Sequence, residues 1–479
     1  MPVFAGNASA DQPMRVGVLP RDNEPGAQPL VKSAADKAVP KPEAGPSVPI
    51  ISHGANVPPP PNSYRKNEIL TDKLSPAARA RVEQLGYEIQ ERSRAGLTRI
   101  LLPPQREAYE ILRGLGEEFP QQGFAFNFFH EPYRHVLDNV AIEGEVPVGS
   151  SVGCTTERCY GRRVVGWKDH LSACARGVKV GVIDTGFDRA HPAFTKRGNM
   201  PEPTIVMSPQ DKVDRAPNWH GTGVLSLLAG AATSSTPGLI PDADFLVADA
   251  FFANSRGRPV TDTLHLLEAL QRLYEHGAQI INLSLVGPYD DVLHSRIAYL
   301  AKRRGIVFVA AAGNGGPSAP PGYPAAYPEV IAVTAVDSNA KGYRDANRGS
   351  YINVAAPGVR IWTALPNDRE GMLSGTSFAA PFVTAIAAVT YKNSALKAQI
   401  VARRFALDPK ETTLAGFYVD KIEDGDSKSQ RETYGRGLIK APPDCMPKDQ
   451  PQSWAAKVVP RAAAPAEGWL ADVKPASFR

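Results

Sequence analysis

Residues 178–184 read VKVGVID, and the same texture returns at 244–252 (DFLVADAFF), 279–286 (QIINLSLV), 305–313 (GIVFVAAAG) and 330–337 (VIAVTAVD). These are short, continuous apolar runs without the alternation of a half-exposed strand. They suit strands buried on both faces of a parallel sheet. Helical patterns lie between them: TLHLLEALQRLYEHG (263–277) puts Leu266, Leu267, Leu270 and Leu273 on one face. Strand–helix alternation predicts an α/β fold with a doubly wound, mostly parallel sheet. In such a sheet the reactive groups lie beyond the carboxyl ends of the strands.

Composition sets the frame around this sheet. The chain has 479 residues, more than one ordinary core accommodates, so two folded units with linkers are expected. Proline is concentrated in two tails: 13 of 44 fall in residues 1–61 and seven in 442–479. Residues 1–63 therefore read as a disordered Pro-rich arm and 442–479 as a Pro/Ala-rich C-terminal tail. The net charge of +5 comes without a run of five basic residues, which argues against a nucleic-acid partner. No stretch approaches the ~18–20 apolar residues of a membrane span. The first residues, MPVFAGNASADQPMRVGVLPRDN, lack a basic segment followed by an apolar one, so no secretory signal is visible. Of the four cysteines, Cys154, Cys159 and Cys174 lie within 21 residues and Cys445 stands apart. All three pairings stay open, free thiols are an equal alternative, and the spacing is poor for zinc.

Upstream of the sheet, residues 64–135 read as a small unit of their own. NEIL (67–70) is a strand candidate, and Ser75 caps a helix over SPAARARVEQLG with Pro76 in its first turn. YEIQERS and LTRILL follow as short strands. PQREAYEILRGLG then sets Ala108, Ile111, Leu112 and Leu115 on one helix face, and FAFNFF closes the unit. The order β-α-β-β-α-β is the ferredoxin-like arrangement, with a thin core and marginal stability expected for the unit alone.

Four features of the larger unit carry chemistry. Asp184 ends the first strand, before Thr185-Gly186. His220 opens a helix in NWHGTG (218–223), between small residues that admit a substrate. Asn314 follows an apolar strand in AAAGNG (310–315). Ser377 sits in LSGTSFAAP (373–381) at the start of an apolar helix, where unpaired N–H groups and the helix dipole favour negative charge. Each has a plain structural alternative: a turn carboxylate, a solvated histidine, a turn-forming asparagine, an N-cap serine. Together they supply a nucleophile, a base, an orienting carboxylate and an oxyanion donor, in the order Asp…His…Ser.

VGVIDTGFD, HGTG, INLSLVG, AAAGNGG and GTSFAAP resemble the motifs of the subtilisin-like serine proteases (subtilases, peptidase family S8), and YPAAYPEVIAVTAVDS, NVAAPGVRI and YGRGLI match further family segments. The resemblance spans roughly 160–441 and implies a subtilisin-like serine endopeptidase domain acting on polypeptides. Carried over, it implies that Asp184 orients His220, that His220 takes the proton of Ser377, and that Asn314 donates to the oxyanion. It further implies that Ser284, Leu285 and Val286 pair with the substrate backbone, while Ala311, Ala312 and Gly313 wall the pocket for the residue before the scissile bond. Residues 64–135 resemble the family's propeptide, an intramolecular chaperone and inhibitor, which makes 136–159 a linker with the processing region and places cleavage within 130–155. A permanent accessory domain is the alternative reading. No cofactor is expected for the chemistry. The loop ATSSTPGLIPDA (232–243) lacks the family's Asn-rich calcium loop, so no metal site is expected, a weaker calcium site aside. The protein is expected to be a monomer, secreted or periplasmic, with its true start upstream; a cytoplasmic location is the alternative. A catalytically silent subtilase-like binding module is the competing function, opposed by the complete set of Asp184, His220, Asn314 and Ser377. A dinucleotide-binding enzyme is set aside because no G-x-G-x-x-G follows a strand.

Two positions depart from the family pattern. Gly223 stands where histidine is usual, and Val286 where glycine is usual on the pocket wall. The two extra methyl groups of Val286 narrow the pocket, so medium apolar residues are preferred there over large aromatic ones. Val286→Gly is expected to improve cleavage after Phe or Tyr relative to Leu, measured as kcat/KM on matched peptides; an unchanged ratio would remove Val286 as the cause.

Overall fold

The computed structural model describes residues 59–60, 62–91, 93–132, 143–147, 158–198, 201–208, 214–391, 418–420, 422 and 427–445. Most of the arm over 1–63, much of the 136–159 linker and nearly all of the tail over 442–479 lie outside the described residues.

The N-terminal unit is built from β1 (Tyr64–Thr71), α1 (Pro76–Gln84), β2 (Glu88–Gln90), β3 (Thr98–Leu101), α2 (Ala108–Glu118) and β4 (Phe124–His130). Ser75 caps α1 through a hydrogen bond that its side chain accepts from the Ala78 N–H, with Pro76 at the first position. Helix α2 starts at Ala108, four residues later than the PQREAYEILRGLG pattern suggests, with Glu107 in extended backbone at its N-cap. The strands pair antiparallel in the order β2-β3-β1-β4. Ile69, Ile100, Leu112, Leu115, Phe124 and Phe126 form the core between this sheet and its two helices.

That core is as small as the sequence suggests, but the unit does not stand alone. Leu70, Ala95 and Leu97 join the second core of the larger unit. Strand β4 continues that union, pairing antiparallel at its far end with a strand of the larger unit, as described below.

Strand β5 (Glu143–Pro147) lies in the segment read as a linker. The larger unit follows, with α3 (Tyr160–Val164), a 3-10 turn (Asp169–Ala175), β6 (Lys179–Asp184), α4 (Pro192–Thr195), β7 (Thr204–Met207), α5 (Trp219–Ala229), β8 (Asp244–Asp249), β9 (Phe252–Ala253), β10 (Pro259–Asp262) and α6 (Thr263–Glu275). Then come β11 (Ile280–Leu283), α7 (Asp291–Arg304), β12 (Val307–Ala311), β13 (Val330–Val336), β14 (Val354–Pro357), β15 (Ile361–Leu365), β16 (Arg369–Leu373), α8 (Thr376–Thr390), β17 (Tyr418–Asp420), a helix Ser427–Tyr434 and β18 (Leu438–Lys440).

The continuous apolar runs become a nine-stranded sheet in the order β17-β18-β14-β13-β12-β11-β6-β8-β7, parallel except at its edge strand β17. Burial on both faces explains their composition. On one face Val180, Val182, Val247, Val309 and Val333 meet α5 and α8; on the other Ile183, Ile281, Phe308 and Ala310 meet α6 and α7. Register brings strand ends level: Asp184 lies opposite Asp249, Ile183 opposite Leu283, and Leu283 opposite Ala310. A separate antiparallel sheet joins β15, β16 and β5, so residues 143–147 are held against β16.

Cys174 is disulfide-bonded to Cys445, 271 residues away, rather than to a neighbour in the local cluster, and Cys159 is also disulfide-bonded. The Cys174–Cys445 bond ties the segment after β18 to the turn that precedes β6. Closing so long a loop restricts the unfolded chain, an effect on the order of 2–5 kcal/mol. Cys174→Ser is therefore expected to lower the unfolding temperature by about 5 °C or more under non-reducing conditions, measured by differential scanning calorimetry, and the difference should vanish in reductant.

Candidate active site

Strand β6 ends at Asp184, and the turn that follows is forced by Gly186 at φ +73°. The turn packs directly on the first turn of α5. A Cβ at Gly221 would fall 1.9 Å from the Gly186 carbonyl oxygen, so only glycine permits the approach. The Gly221 N–H donates to Thr185 Oγ1 at 3.1 Å. This contact brings His220 Nδ1 to 2.7 Å from Asp184 Oδ1, which also accepts the Thr185 N–H at 2.7 Å. Both side chains are 1% exposed, so the hydrogen bond is shielded from water. The rings of Trp219 and Phe378 lie 5.5 Å from the imidazole.

Ser377 is the second residue of α8, after Gly375 at φ +150°. It is not the N-cap, which is Gly375 itself. Ser377 Oγ donates to the Pro132 carbonyl at 3.1 Å, with the Ser284 carbonyl at 3.4 Å as a second acceptor. The Ser377 carbonyl in turn accepts from Ser284 Oγ at 2.9 Å. Asn314 Oδ1 accepts both the Thr376 N–H (2.9 Å) and Thr376 Oγ1 (3.0 Å), which fixes the amide and leaves its Nδ2 end free to donate elsewhere. A Cβ at Gly375 would sit 3.2 Å from that Nδ2, so the glycine keeps the approach open.

Residues 284–286, just after β11, lie between these groups and the N-terminal unit. Val286 exchanges two backbone hydrogen bonds with Glu131, at 2.7 and 2.8 Å. On the other side, Thr261 and Asp262 of β10 pair with His130 and Phe129. Residues 129–131 therefore run as a strand between β10 and Val286, ending at Ser377. The Leu285 side chain belongs to the core under α6 and α7. Val286 points towards Gly322: a Cβ there would meet Val286 Cγ2 at 2.5 Å and the Ala312 carbonyl oxygen at 2.7 Å. Ala311 and Ala312 are buried at the end of β12, and Gly313 turns away at φ +109°.

The structure thus brings Asp184 and His220 into direct contact, and joins Ser377 to Ser284 and Asn314 to Thr376. Pro132, Thr376 and Gly322 escaped the sequence reading. Only Thr376 had a local signal, as the middle residue of GTS. Gly223 is explained by packing: a Cβ there would lie 3.1 Å from Leu373 and 3.2 Å from Phe378, so this α5–α8 contact has no room for an imidazole. Among the described residues no group of His, Cys, Asp and Glu side chains could hold a metal ion, and no helix is long and apolar enough to cross a membrane.

A further carboxylate stands beside Asp184. Asp249 ends the neighbouring strand in register with it, and a Cβ at Gly186 would strike Asp249 Oδ2 at 2.6 Å. Burial, and then the Asp184 charge, push the Asp249 carboxyl up to about 7 against the Phe251 backbone hydrogen bond and the Arg215 charge. Its folded pKa lies above its unfolded value, so the folded state holds the extra proton between about 4 and 7 and loses relative stability as pH rises through that window. Asp249→Asn removes the penalty. The variant is expected to gain several degrees of thermal stability over wild type at pH 8 and much less at pH 4.5, in melts across that range.

The Subtilase family model matches residues 175–437. Subtilisin DY from Bacillus licheniformis is 33% identical over 268 residues, covering 55% of this chain and 88% of that protein. Subtilisin E from Bacillus subtilis (strain 168) is 33% identical over 216 residues, and this chain spans only 55% of its length. Among solved structures, fervidolysin from Fervidobacterium pennivorans, a keratinolytic enzyme related to subtilisin, superposes with a TM-score of 0.58 at 20% identity, covering 80% of this chain and 61% of that one. The match in fold, the match in sequence and the arrangement at the carboxyl ends of β6 and β12 agree: the chain belongs to the Subtilase family of serine endopeptidases.

Proposed function

We propose that Ser377 is the nucleophile of this endopeptidase, and that the chain is made as a precursor held inactive by residues 64–132. The observation that carries the second part is the 3.1 Å hydrogen bond from Ser377 Oγ to the Pro132 carbonyl, at the end of a strand paired on both sides within the groove. An extended peptide added to a sheet edge is how a protease presents a substrate backbone. The N-terminal unit holds that place in cis.

In this reading Ser377 Oγ attacks the scissile carbonyl carbon as His220 Nε2 takes the hydroxyl proton. Asp184 Oδ1, accepting from Nδ1–H, fixes the tautomer and stabilises the imidazolium. Asn314 Nδ2 and the Ser377 N–H, at the positive end of α8, donate to the oxyanion. Collapse of the tetrahedral intermediate breaks the C–N bond, and the proton on His220 leaves with the amine. Water then enters, gives His220 a proton, and frees the acid from the acyl-enzyme. Ser284 and Val286 pair with the substrate backbone, and Val286, Ala312 and Gly313 bound the pocket before the scissile bond. The substrates are polypeptides and no cofactor takes part. The Cys174–Cys445 disulfide supports a secreted or periplasmic location.

Intact mass separates the possibilities. Wild type is expected to lose ~130–155 N-terminal residues while Ser377→Ala stays full length, since the chain up to Pro132 fills its own groove. If both stay full length and neither cleaves casein, the silent binding module is the better description. In processed enzyme, Asp184→Asn is expected to cost about 10⁴ in kcat and Asn314→Ala about 10²–10³.

A further inference from the structure

The groove that receives residues 129–132 also buries a side chain. His130 is fully buried, and neither ring nitrogen has a hydrogen-bond partner. The groups that face it come from the larger unit. Its backbone pairs with Thr261, whose Oγ1 is likewise buried without a partner. A Cβ at Gly287 would fall 2.0 Å from His130 Nδ1, so the absent side chain there is the room the ring occupies. Asp290 Oδ2 lies 3.7 Å from His130 Nε2.

Asp290 has partners of its own besides the ring. Its Oδ1 accepts the N–H groups of Val292 and Leu293 at the start of α7, and its Oδ2 accepts Thr263 Oγ1 at 2.6 Å. The carboxylate is 1% exposed and no arginine or lysine bridges to it among the described residues. A buried anion compensated only by hydrogen bonds favours an occupant that can donate a proton or carry positive charge, and disfavours one that would only desolvate it. The slot opened by Gly287 is shaped to a flat ring.

We propose that Gly287, Thr261 and Asp290 form a selective subsite of the substrate groove, which accepts a histidine side chain two residues before the position held by Pro132. The subsite rests on the reading that residues 129–132 occupy the groove as a substrate would. Asp290 is its specificity-determining residue and Gly287 admits the ring. Substrates with histidine there are preferred over those with leucine.

Two measurements test this. The first needs no activity. In the full-length Ser377→Ala chain, His130→Leu and Asp290→Asn are made singly and together and melted. Asparagine still caps α7, so the helix is retained. The double variant is expected to lose at least ~2 °C less than the sum of the single losses, and strictly additive losses would overturn the contact. The second offers the active chain peptides X-Glu-Pro-Tyr with X as His or Leu. The expected kcat/KM ratio of His to Leu is about 10, falling towards one in Asp290→Asn. A wild-type ratio of one or below overturns the subsite while casein cleavage still supports the peptidase. No cleavage of any peptide or of casein, with Ser377 intact, overturns the reading of the groove and the subsite with it.

Discussion

Parallel register is the constraint on which the rest of this structure depends. Strands β6, β8, β11 and β12 pair so that their carboxyl ends come level, and whatever follows them emerges along one edge. Asp184 is delivered there by β6, Ser284 by β11 and Asn314 by β12. Helices α5 and α8 start at the same edge, with His220 and Ser377 in their first turns. Their closeness has a steric cause. Gly221 on Gly186 and Gly375 beside Asn314 are approaches that no Cβ would allow without displacement.

The same edge collects carboxylates at a cost. Asp184 and Asp249 end adjacent strands in register, and burial leaves the second reluctant to ionise. Gly186 makes their shared space. Asp262, two strands away in the chain, shows the opposite outcome: the neighbouring His265 and Arg65 hold its carboxyl well below the ordinary range despite full burial. Arg65 belongs to the N-terminal unit, so this compensation crosses between the two units and adds charge to the backbone pairing of β4 with β10.

That pairing shows how a small unit solves two problems with one surface. A four-stranded sheet with a single thin core leaves a bare apolar face and a free edge. Here the face, through Leu70 and Leu97, packs into the core of α6 and α7, and the edge strand β4 is covered by β10. The groove walls at Val286 and β10 are satisfied by the same strand.

The sheet and the places of Asp184, His220, Asn314 and Ser377 were legible in the sequence because local physics writes them. Burial on both faces makes a strand continuously apolar, glycine marks a tight turn, and a helix start needs small or capping residues. The β-α-β-β-α-β order was legible for the same reason. Other features depend on contacts between residues far apart in the chain, and no local pattern carries them. Cys174 meets Cys445 because β18 ends beside the turn before β6, although Cys154 and Cys159 lie far nearer to it in the chain. Asp249 faces Asp184 only because β8 pairs with β6. Pro132 reaches Ser377, and His130 reaches Asp290, because β4 enters between β10 and Val286. Residue type and spacing decide what an element is. Which elements share an edge, and therefore which groups share a site, is decided by packing across hundreds of residues.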